Sequence, residues 1–261
     1  NLLDSNSPNP SVETLLHALL PHKYVDHTHS NAILSLVNLK NSPKVLNKIF
    51  GKKLAIVPYI MPGFQLAKKC FQIFKKNKNV EGLLLLNHGI FTFGDDAKQS
   101  YDRMIKYVSL AEKHINNKKR NHKYEKNKIN NFSLDLIMQC RKIFYQIDQN
   151  KWIINLNSSK DDIEFSLLEN IDTLFTKGPV TPDHVIRIKP SPLVIKSKNK
   201  SIERQIKSYA KKYENYFKKY RKLVKGSVQT DPIPRVIILP HIGIFLLGRD
   251  YNESQIAKDI F

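Results

Sequence analysis

The chain has 261 residues, 41% of them hydrophobic, which is enough for one large α/β domain or two modest ones. Lys and Arg outnumber Asp and Glu by 43 to 23, so the formal charge is +20. No apolar stretch reaches the roughly 20 residues of a membrane span, and the N-terminal segment lacks the features of a signal peptide. Two cysteines, Cys70 and Cys140, are too few for a disulfide framework, and their neighbours place each on a helix. We therefore expect a soluble, cytoplasmic protein without membrane partners.

The positive charge does not by itself indicate nucleic-acid binding. The excess is mostly lysine, in runs mixed with asparagine such as those at 75–79, 116–128 and 196–200, which lie between apolar periodic segments. Such runs are typical of solvated loops, and a compositional bias raises Lys and Asn together without selection for a partner. We favour this interpretation over a nucleic-acid partner, and we keep attraction of an anionic substrate as a third one.

In the N-terminal half, helix-like and strand-like patterns alternate. Residues 11–20 predict a helix that ends at Pro21. The pattern then predicts a strand at Tyr24–His29, a helix at Asn31–Val37, a strand at Leu54–Tyr59, a helix at Gln65–Lys75, strands at Gly82–Leu86 and Ile90–Phe93, and a helix over 97–115. The alternation indicates an α/β layer architecture.

A Lys/Asn-rich stretch separates this half from the next. We divide the chain into a domain at 1–116, a basic linker at 117–131 and a C-terminal α/β domain at 132–261. The second domain predicts a helix at Ser133–Ile147, a strand at Trp152–Leu156, a helix at Asp161–Ile171, a helix over 201–224, two strands within Val236–Leu247 and a helix near Asn252. The apolar stripe of 201–224 is expected to face the core, and Lys189 to be a solvated charge.

Three histidines and one glutamate form the candidate functional site. His27 and His29 are two residues apart in a predicted strand, so their imidazoles leave the same face. His88 follows a strand expected to be central in its sheet, beside Gly89, which lets the backbone turn. Glu13 lies in the first turn of its predicted helix. Converging imidazole nitrogens with a nearby carboxylate are typical of a catalytic zinc site.

Each of these residues also has a purely structural alternative. His27 and His29 could be half-buried histidines at a strand end, and His88 could simply cap its strand. Glu13 could do no more than stabilise its helix, because the positive end of the helix dipole favours an ionised carboxylate. The metal interpretation requires all four side chains to lie together.

Four motifs occur in a fixed order: PSVE (10–13), DHTHS (26–30), VPYIMPGF (57–64) and LLNHGIFTFGDD (85–96). Over roughly residues 8–115 they resemble the class II aldolase/adducin family. The resemblance is closest to the large bifunctional rhamnulose-1-phosphate aldolase/short-chain dehydrogenase proteins. In these, GPVTPDHVIRIKP (178–190) and PRVIILPHIGIFLLG (234–248) also have counterparts, so the resemblance continues to the end of the chain.

The resemblance implies a class II aldolase-like layered sheet with flanking helices, followed by a smaller related α/β domain. It implies that His27, His29 and His88 bind Zn²⁺ or another divalent metal and that Glu13 is the catalytic acid/base. The implied reaction, in rhamnose metabolism, cleaves a ketose 1-phosphate such as rhamnulose 1-phosphate to dihydroxyacetone phosphate and an aldehyde. The implied partners are this phosphorylated sugar and further copies of the chain in a homo-oligomer.

Other functions stay open at this point. The same scaffold supports epimerisation of sugar phosphates, and adducin-like relatives keep the fold as non-catalytic binding modules. The family's glycine-rich phosphate loop normally lies upstream of PSVE, where only nine residues precede Pro10. We therefore expect an internal piece, or a shortened member, of a longer architecture. No G-x-G-x-x-G occurs, so we expect no nicotinamide cofactor.

A weak internal repeat relates residues 83–100 to residues 236–254. At an offset of 154 residues, the matched positions are Gly89 with Gly243, Gly94 with Gly248, Asp96 with Asp250 and Ser100 with Ser254. His88 falls on Ile242, so the second copy loses this ligand. We expect the C-terminal domain to be a degenerate repeat without metal.

Overall fold

A computed structural model of the chain describes residues 4, 6–7, 9–118, 132–181, 184–195, 201–223 and 226–261. The chain divides into two compact units, Asn1–Arg120 and Asn121–Phe261, and each contains one four-stranded sheet with flanking helices. The second unit covers the longer stretch of chain, so it is not the smaller domain that we expected. Most of the predicted linker at 117–131 lies outside the described residues.

The first unit alternates helices and strands as predicted. Its elements are α1 (Thr14–Leu19), β1 (Tyr24–Thr28), α2 (Asn31–Val37), α3 (Ser42–Phe50), β2 (Leu54–Val57), α4 (Phe64–Lys76), β3 (Gly82–Leu85), β4 (Gly89–Gly94) and α5 (Ala97–Asn116). Helix α3 was not predicted. Strand β2 ends before Pro58, which has no N–H to donate to a ladder. Helix α1 begins later than expected, because Ser11 accepts a bond from the Glu13 N–H (3.2 Å) in the preceding turn.

The first sheet has the strand order β1-β4-β3-β2. Strand β4 pairs antiparallel with both β1 and β3, and β3 pairs parallel with β2. Successive side chains of β3 enter opposite cores: Leu83 and Leu85 pack with α1 and α4 residues, and Leu84 packs with α2, α3 and α5 residues. The continuous apolar run of β3 is therefore that of a strand covered on both faces, as predicted.

The second unit has the same arrangement of strands. Its elements are α6 (Phe132–Asp148), β5 (Ile153–Asn157), α7 (Lys160–Ser166), α8 (Ile171–Phe175), a π-helical turn (His184–Ile188), β6 (Leu193–Val194), α9 (Ile202–Tyr220), a 3₁₀ turn (Arg221–Leu223), β7 (Val236–Leu239), β8 (Gly243–Gly248) and α10 (Tyr251–Ile260). The single helix predicted at Asp161–Ile171 is instead two short helices, α7 and α8. The sheet order is β5-β8-β7-β6, with the same parallel and antiparallel pairings as in the first unit.

Residues matched by the sequence repeat have matching structural roles. Asp96 and Asp250 are the N-caps of α5 and α10, and each side chain accepts a backbone N–H three residues on. A Cβ on Gly94 or on Gly248 would meet the backbone nitrogen of the buried serine that follows, at 2.7 and 2.4 Å. The strand–turn–strand–helix unit is thus built in the same way twice.

Two predictions about the second unit were wrong. Lys189 is only 5% exposed, and its ammonium donates to the Thr230 hydroxyl and to the Asp231 carbonyl (2.6 Å). The stripe of α9 faces the core only in its first half. Farther along that helix, Tyr216 and Tyr220 are 38% and 42% exposed.

The two cysteines are buried free thiols, Cys70 on α4 and Cys140 on α6, one on each of two helices as predicted. Burial raises the pKa of both thiols to about 12. Within the described part of the chain, no helix combines the length and the apolar character that spanning a membrane requires.

Candidate metal centre

The four predicted site residues come from neighbouring segments of the first unit. His27 lies on β1, and His29 directly follows that strand. His88 lies in the turn between β3 and β4, and Glu13 is the N-cap residue of α1. Strand β1 pairs with β4, so the turn that carries His88 lies beside the end of β1.

The structure brings all four side chains together. One ligand atom from each lies within 4.8 Å of the others. The Glu13 Oε1 is 2.6 Å from the His88 Nε2 and 3.4 Å from the His27 Nε2. The Nε2 atoms of His27 and His29 are 3.0 Å apart. Among the described residues, this is the one group of three or more histidine, cysteine or acidic side chains that could hold a metal ion.

The imidazole of His27 is fixed by two contacts. Its Nδ1 lies 2.8 Å from the Ile90 carbonyl oxygen. A carbonyl can only accept, so Nδ1 carries a proton, and Nε2 faces the other site residues. The ring also stacks on Phe91, with centroids 3.9 Å apart and planes 10° apart. This arrangement is typical of a metal-ligating histidine, whose second nitrogen donates to a neighbouring acceptor.

The turn before β4 positions His88. Asn87 has a left-handed backbone (φ 56°), and its side chain donates to the Asn38 side chain at 3.0 Å. A Cβ on Gly89 would lie 2.6 Å from the Thr28 carbonyl oxygen. Only glycine therefore lets this turn approach the end of β1, which sets His88 beside the other histidines.

Glu13 is held in its ionised form. Hydrogen bonds from the rings of His27 and then of His88 hold the pKa of its carboxyl well below the usual range, although burial acts in the opposite direction. An ionised carboxylate and neutral imidazoles are the protonation states that a divalent cation requires of its ligands.

The spacing of the donor atoms fits a small cation. Tetrahedral zinc with bonds of about 2.0–2.1 Å has neighbouring ligand atoms about 3.3 Å apart. Three separations in the group are 2.6, 3.0 and 3.4 Å, and all four ligand atoms lie within 4.8 Å of one another. Three imidazoles and one carboxylate form a donor set of the kind that zinc binds.

Two protein-family models match the chain. The model described as "Class II Aldolase and Adducin N-terminal domain" matches residues 1–115, and "Aldolase class II, second domain" matches residues 133–261. The chain belongs to the class II aldolase/adducin family. The family predicted from four sequence motifs is thereby confirmed, as is the α/β fold of layered sheets and helices.

The relatives that the chain matches differ in the share of the chain that they cover. The chain is 28% identical over 276 residues to "Uncharacterized oxidoreductase YuxG" of Bacillus subtilis (strain 168), covering all of the chain but 40% of that relative. The chain thus spans less than half the length of this curated relative. A solved N-terminal class II aldolase domain from Thermoplasma acidophilum is 44% identical, covering 43% of the chain and 51% of that structure (TM-score 0.39). A sugar-phosphate aldolase from Thermotoga maritima is 22% identical, covering 44% and 58% (TM-score 0.36).

The second unit of the class II aldolase/adducin chain has different side chains at the equivalent positions. His27 pairs with Phe91 on β4, and Leu156 pairs with Phe245 at the matching place on β8. By the same register, the ligand positions correspond as His27 with Leu156, His29 with Ser158 and His88 with Ile242. Leu156 and Ile242 pack against the hydrophobic core. Alkyl groups therefore occupy two of the three places that imidazoles occupy in the first unit.

The residues that support the histidines were not predicted from the sequence. Phe91 and the Ile90 carbonyl fix His27, and Asn38 holds the turn through Asn87. The sequence shows the apolar run of β4, but it does not show which residues of β4 lie opposite which residues of β1. Without the register, no pattern indicates which aromatic side chain lies under the imidazole.

Proposed function

We propose that the chain is a divalent-metal-dependent lyase that cleaves a ketose 1-phosphate, such as rhamnulose 1-phosphate, to dihydroxyacetone phosphate and an aldehyde. The convergence of Glu13, His27, His29 and His88 in a class II aldolase/adducin chain is the observation that carries this proposal. The formal charge of +20 also favours an anionic substrate, because a positive surface raises the local concentration of phosphorylated molecules.

In this proposal His27, His29 and His88 hold the ion, which is Zn²⁺ or a similar divalent metal. Such an ion would supply Lewis acidity that polarises the ketose carbonyl and stabilises negative charge on its oxygen. The Ile90 carbonyl and the Phe91 ring keep the Nε2 of His27 turned toward the centre, so little reorganisation is needed on binding.

Glu13 is the proposed acid/base. As the C3–C4 bond breaks, the C4 hydroxyl loses a proton to give the aldehyde and the carbon left next to the carbonyl gains a proton; in the direction of synthesis both transfers are reversed. Glu13 is ionised and partly exposed beside the histidines, so it can take the carbon-bound proton and return it.

We also propose a homo-oligomer. The side chains of Tyr59 and Met61, between β2 and α4, and of Phe64, the first residue of α4, are large, apolar and exposed. Such side chains close together in sequence favour a protein interface over an open surface. Size-exclusion chromatography with light scattering should give a mass above 30.3 kDa, and Met61→Glu should lower it.

Metal content gives the first test. Elemental analysis of the purified chain should find about one divalent ion per chain, because the four side chains are of the kinds that bind zinc. His27→Ala and His88→Ala should lose it. His114→Ala is the matched control, because His114 lies on α5 of the same unit and is outside the group. Equal metal in all four proteins would contradict the metal centre.

Activity gives the second test. Dihydroxyacetone phosphate released from rhamnulose 1-phosphate should be measured with and without a chelator. Glu13→Gln should lower the rate by about 100-fold or more, the usual contribution of a general acid/base, while the three histidines retain the metal. A parent chain that binds metal but cleaves no ketose 1-phosphate would favour a non-catalytic, adducin-like binding module. Inversion of a sugar-phosphate carbon without cleavage would favour an epimerase.

A further inference from the structure

The second unit contains a cleft of about 710 Å³, within the range of small-molecule sites. One wall is the face of α9 that carries Arg204, Ser208, Lys212 and Tyr216, each four residues from the next. The opposite wall consists of α8 residues and of segment 190–194, which includes β6. No residue of the proposed metal centre lines this cleft.

Two tyrosines of the cleft are held in place. The Tyr209 hydroxyl donates to the Ser191 carbonyl at 2.8 Å, and the Tyr213 hydroxyl is 2.8 Å from the Thr230 hydroxyl. The buried ammonium of Lys189 lies 4.2 Å from the centroid of the Tyr213 ring, which adds a cation–π contact. The side chains of Tyr209 and Tyr213 are therefore ordered before a ligand arrives, so ligand binding costs little conformational entropy at these two residues.

Tyr216, the next tyrosine of α9 on the cleft, has a partly exposed ring, and the centroid of the Tyr220 ring lies 4.9 Å from its own. Tyr216 is 38% exposed, and its ring is nearly parallel to that of Tyr213, with centroids 6.4 Å apart and planes 22° apart. A planar ligand can stack on an exposed aromatic face, and every nucleobase offers such a plane.

The cleft also carries two positively charged side chains. Lys207 and Lys211 on the same helix pair with Glu203 at 2.6 Å and Glu214 at 3.7 Å. Arg204 and Lys212, by contrast, are exposed on the cleft and make no ion pair within the part of the chain that the structure describes.

The lining also contains an acidic side chain, that of Asp172. Two cations against one carboxylate leave the cleft positive, which favours an anionic ligand.

We propose that this cleft binds a nucleoside phosphate. The base stacks on Tyr216 beside Tyr213, and the phosphates face Lys212 and Arg204, whose side chains form charge-assisted hydrogen bonds with phosphate oxygens. Lys212 is one helical turn from Tyr216, whereas Arg204 is twelve residues, or about 18 Å, away along the axis. Lys212 therefore meets the first phosphate, and Arg204 meets the terminal phosphates of a longer chain.

Isothermal titration calorimetry of the full chain with AMP, ADP and ATP tests this, in EDTA so that no metal ion bridges to the phosphates. Affinity should rise from AMP to ATP. Tyr216→Ala should weaken binding of all three nucleotides about tenfold, the usual effect of removing one stacking ring. Arg204→Gln should weaken ATP binding more than AMP binding.

Three controls separate the contacts from general damage. Tyr216→Phe keeps the ring and should bind like the parent, which also covers the case in which Tyr216→Ala fails to fold. Tyr145→Ala removes an exposed tyrosine of α6, and Lys207→Gln removes a paired cation on the outer face of α9. Both should bind like the parent.

Several outcomes would overturn the proposal. They are no saturable binding of any nucleotide, equal losses in the cleft variants and their controls, or ribose 5-phosphate binding as tightly as AMP. Loss of binding in His88→Ala would also overturn it, because the phosphates would then be at the metal centre. That variant is otherwise expected to bind nucleotide normally, whether or not the lyase proposal holds.

Discussion

The ring of Phe91 lies parallel to the ring of His27, with centroids 3.9 Å apart and planes 10° apart. The two residues are partners in the β1–β4 ladder, and Phe91 is completely buried. His17 meets the same phenyl ring edge-on at 5.5 Å. Phe91 thus sets the plane of the imidazole, while the Ile90 carbonyl sets its rotation and tautomer.

Phe91→Leu should weaken metal binding because the His27 ring loses its stacking partner. We expect about a tenfold weaker zinc affinity, within the usual range for residues that orient a ligand, measured by competition with a chromogenic chelator. Phe93→Leu is the matched control, since Phe93 is equally buried on the same strand but stacks on His22. Both should cost about 1 to 3 kcal/mol of stability. Equal zinc affinities in the two variants would show that Phe91 does not position the ligand.

Gly89→Ala should disrupt both stability and metal binding. Its Cβ would meet the Thr28 carbonyl at 2.6 Å and carbon atoms of the His29 and His27 rings at 3.0 and 3.2 Å. We expect a loss of about 1 to 3 kcal/mol in the free energy of unfolding, from urea denaturation, and a loss of zinc.

The equivalent change in the second unit is the control for Gly89→Ala. A Cβ on Gly243 would lie 2.1 Å from the Asn157 carbonyl oxygen, so Gly243→Ala should destabilise its own unit. It should leave the zinc content unchanged, because its neighbours include no metal ligand. Zinc loss in both variants would indicate general unfolding.

Added zinc should stabilise the chain. An ion that binds only the folded state adds about 2.7 kcal/mol at a free concentration 100 times its dissociation constant. Differential scanning calorimetry should show a higher Tm in the parent chain and no change in His88→Ala. An equal rise in both would mean that zinc binds elsewhere.

Asp231 should make stability depend on pH in the acidic range. Burial alone would raise the pKa of its carboxyl, but hydrogen bonds from Arg235 at 2.8 and 2.7 Å outweigh burial and lower the pKa to about 2. The pKa of this carboxyl in the unfolded chain is about 3.9. Its contribution to stability is therefore fully present above that pH and is lost as the pH falls toward 2.

Asp231→Asn should therefore be less stable than the parent by about 2 kcal/mol near neutral pH. Urea denaturation at several pH values should show this gap narrowing below about pH 4. Asp161→Asn, which changes an exposed residue of α7, should show no such convergence. A gap that stays constant to about pH 2 would mean that the carboxylate charge is not the source.

The sequence predicted the candidate site better than its surroundings. His27 and His29 share a strand face because of the period of two, and a strand end beside Gly89 was sufficient to suggest His88. Lys189 was assigned wrongly because its neighbours in sequence are unremarkable, whereas its partners Thr230 and Asp231 come from more than forty residues away. Contacts between distant segments leave no local period.

The outer half of α9 shows a related limit. A helical stripe shows which side chains share a face, but not whether another element covers that face along its whole length. Ile206 and Tyr209 are covered, and Tyr216 is not. The stripe was therefore a correct prediction of the helix and an incomplete prediction of its burial.

In the second unit, the turn between β7 and β8 keeps the same arrangement beside β5, with the alkyl side chains of Leu156 and Ile242 at two of the ligand positions. We therefore expect the first hairpin to fold without an ion, because the matching hairpin of the second unit has side chains that cannot bind a metal at two ligand positions. A metal-free chain should therefore stay folded. It should bind a divalent cation again on dialysis, without being unfolded and refolded.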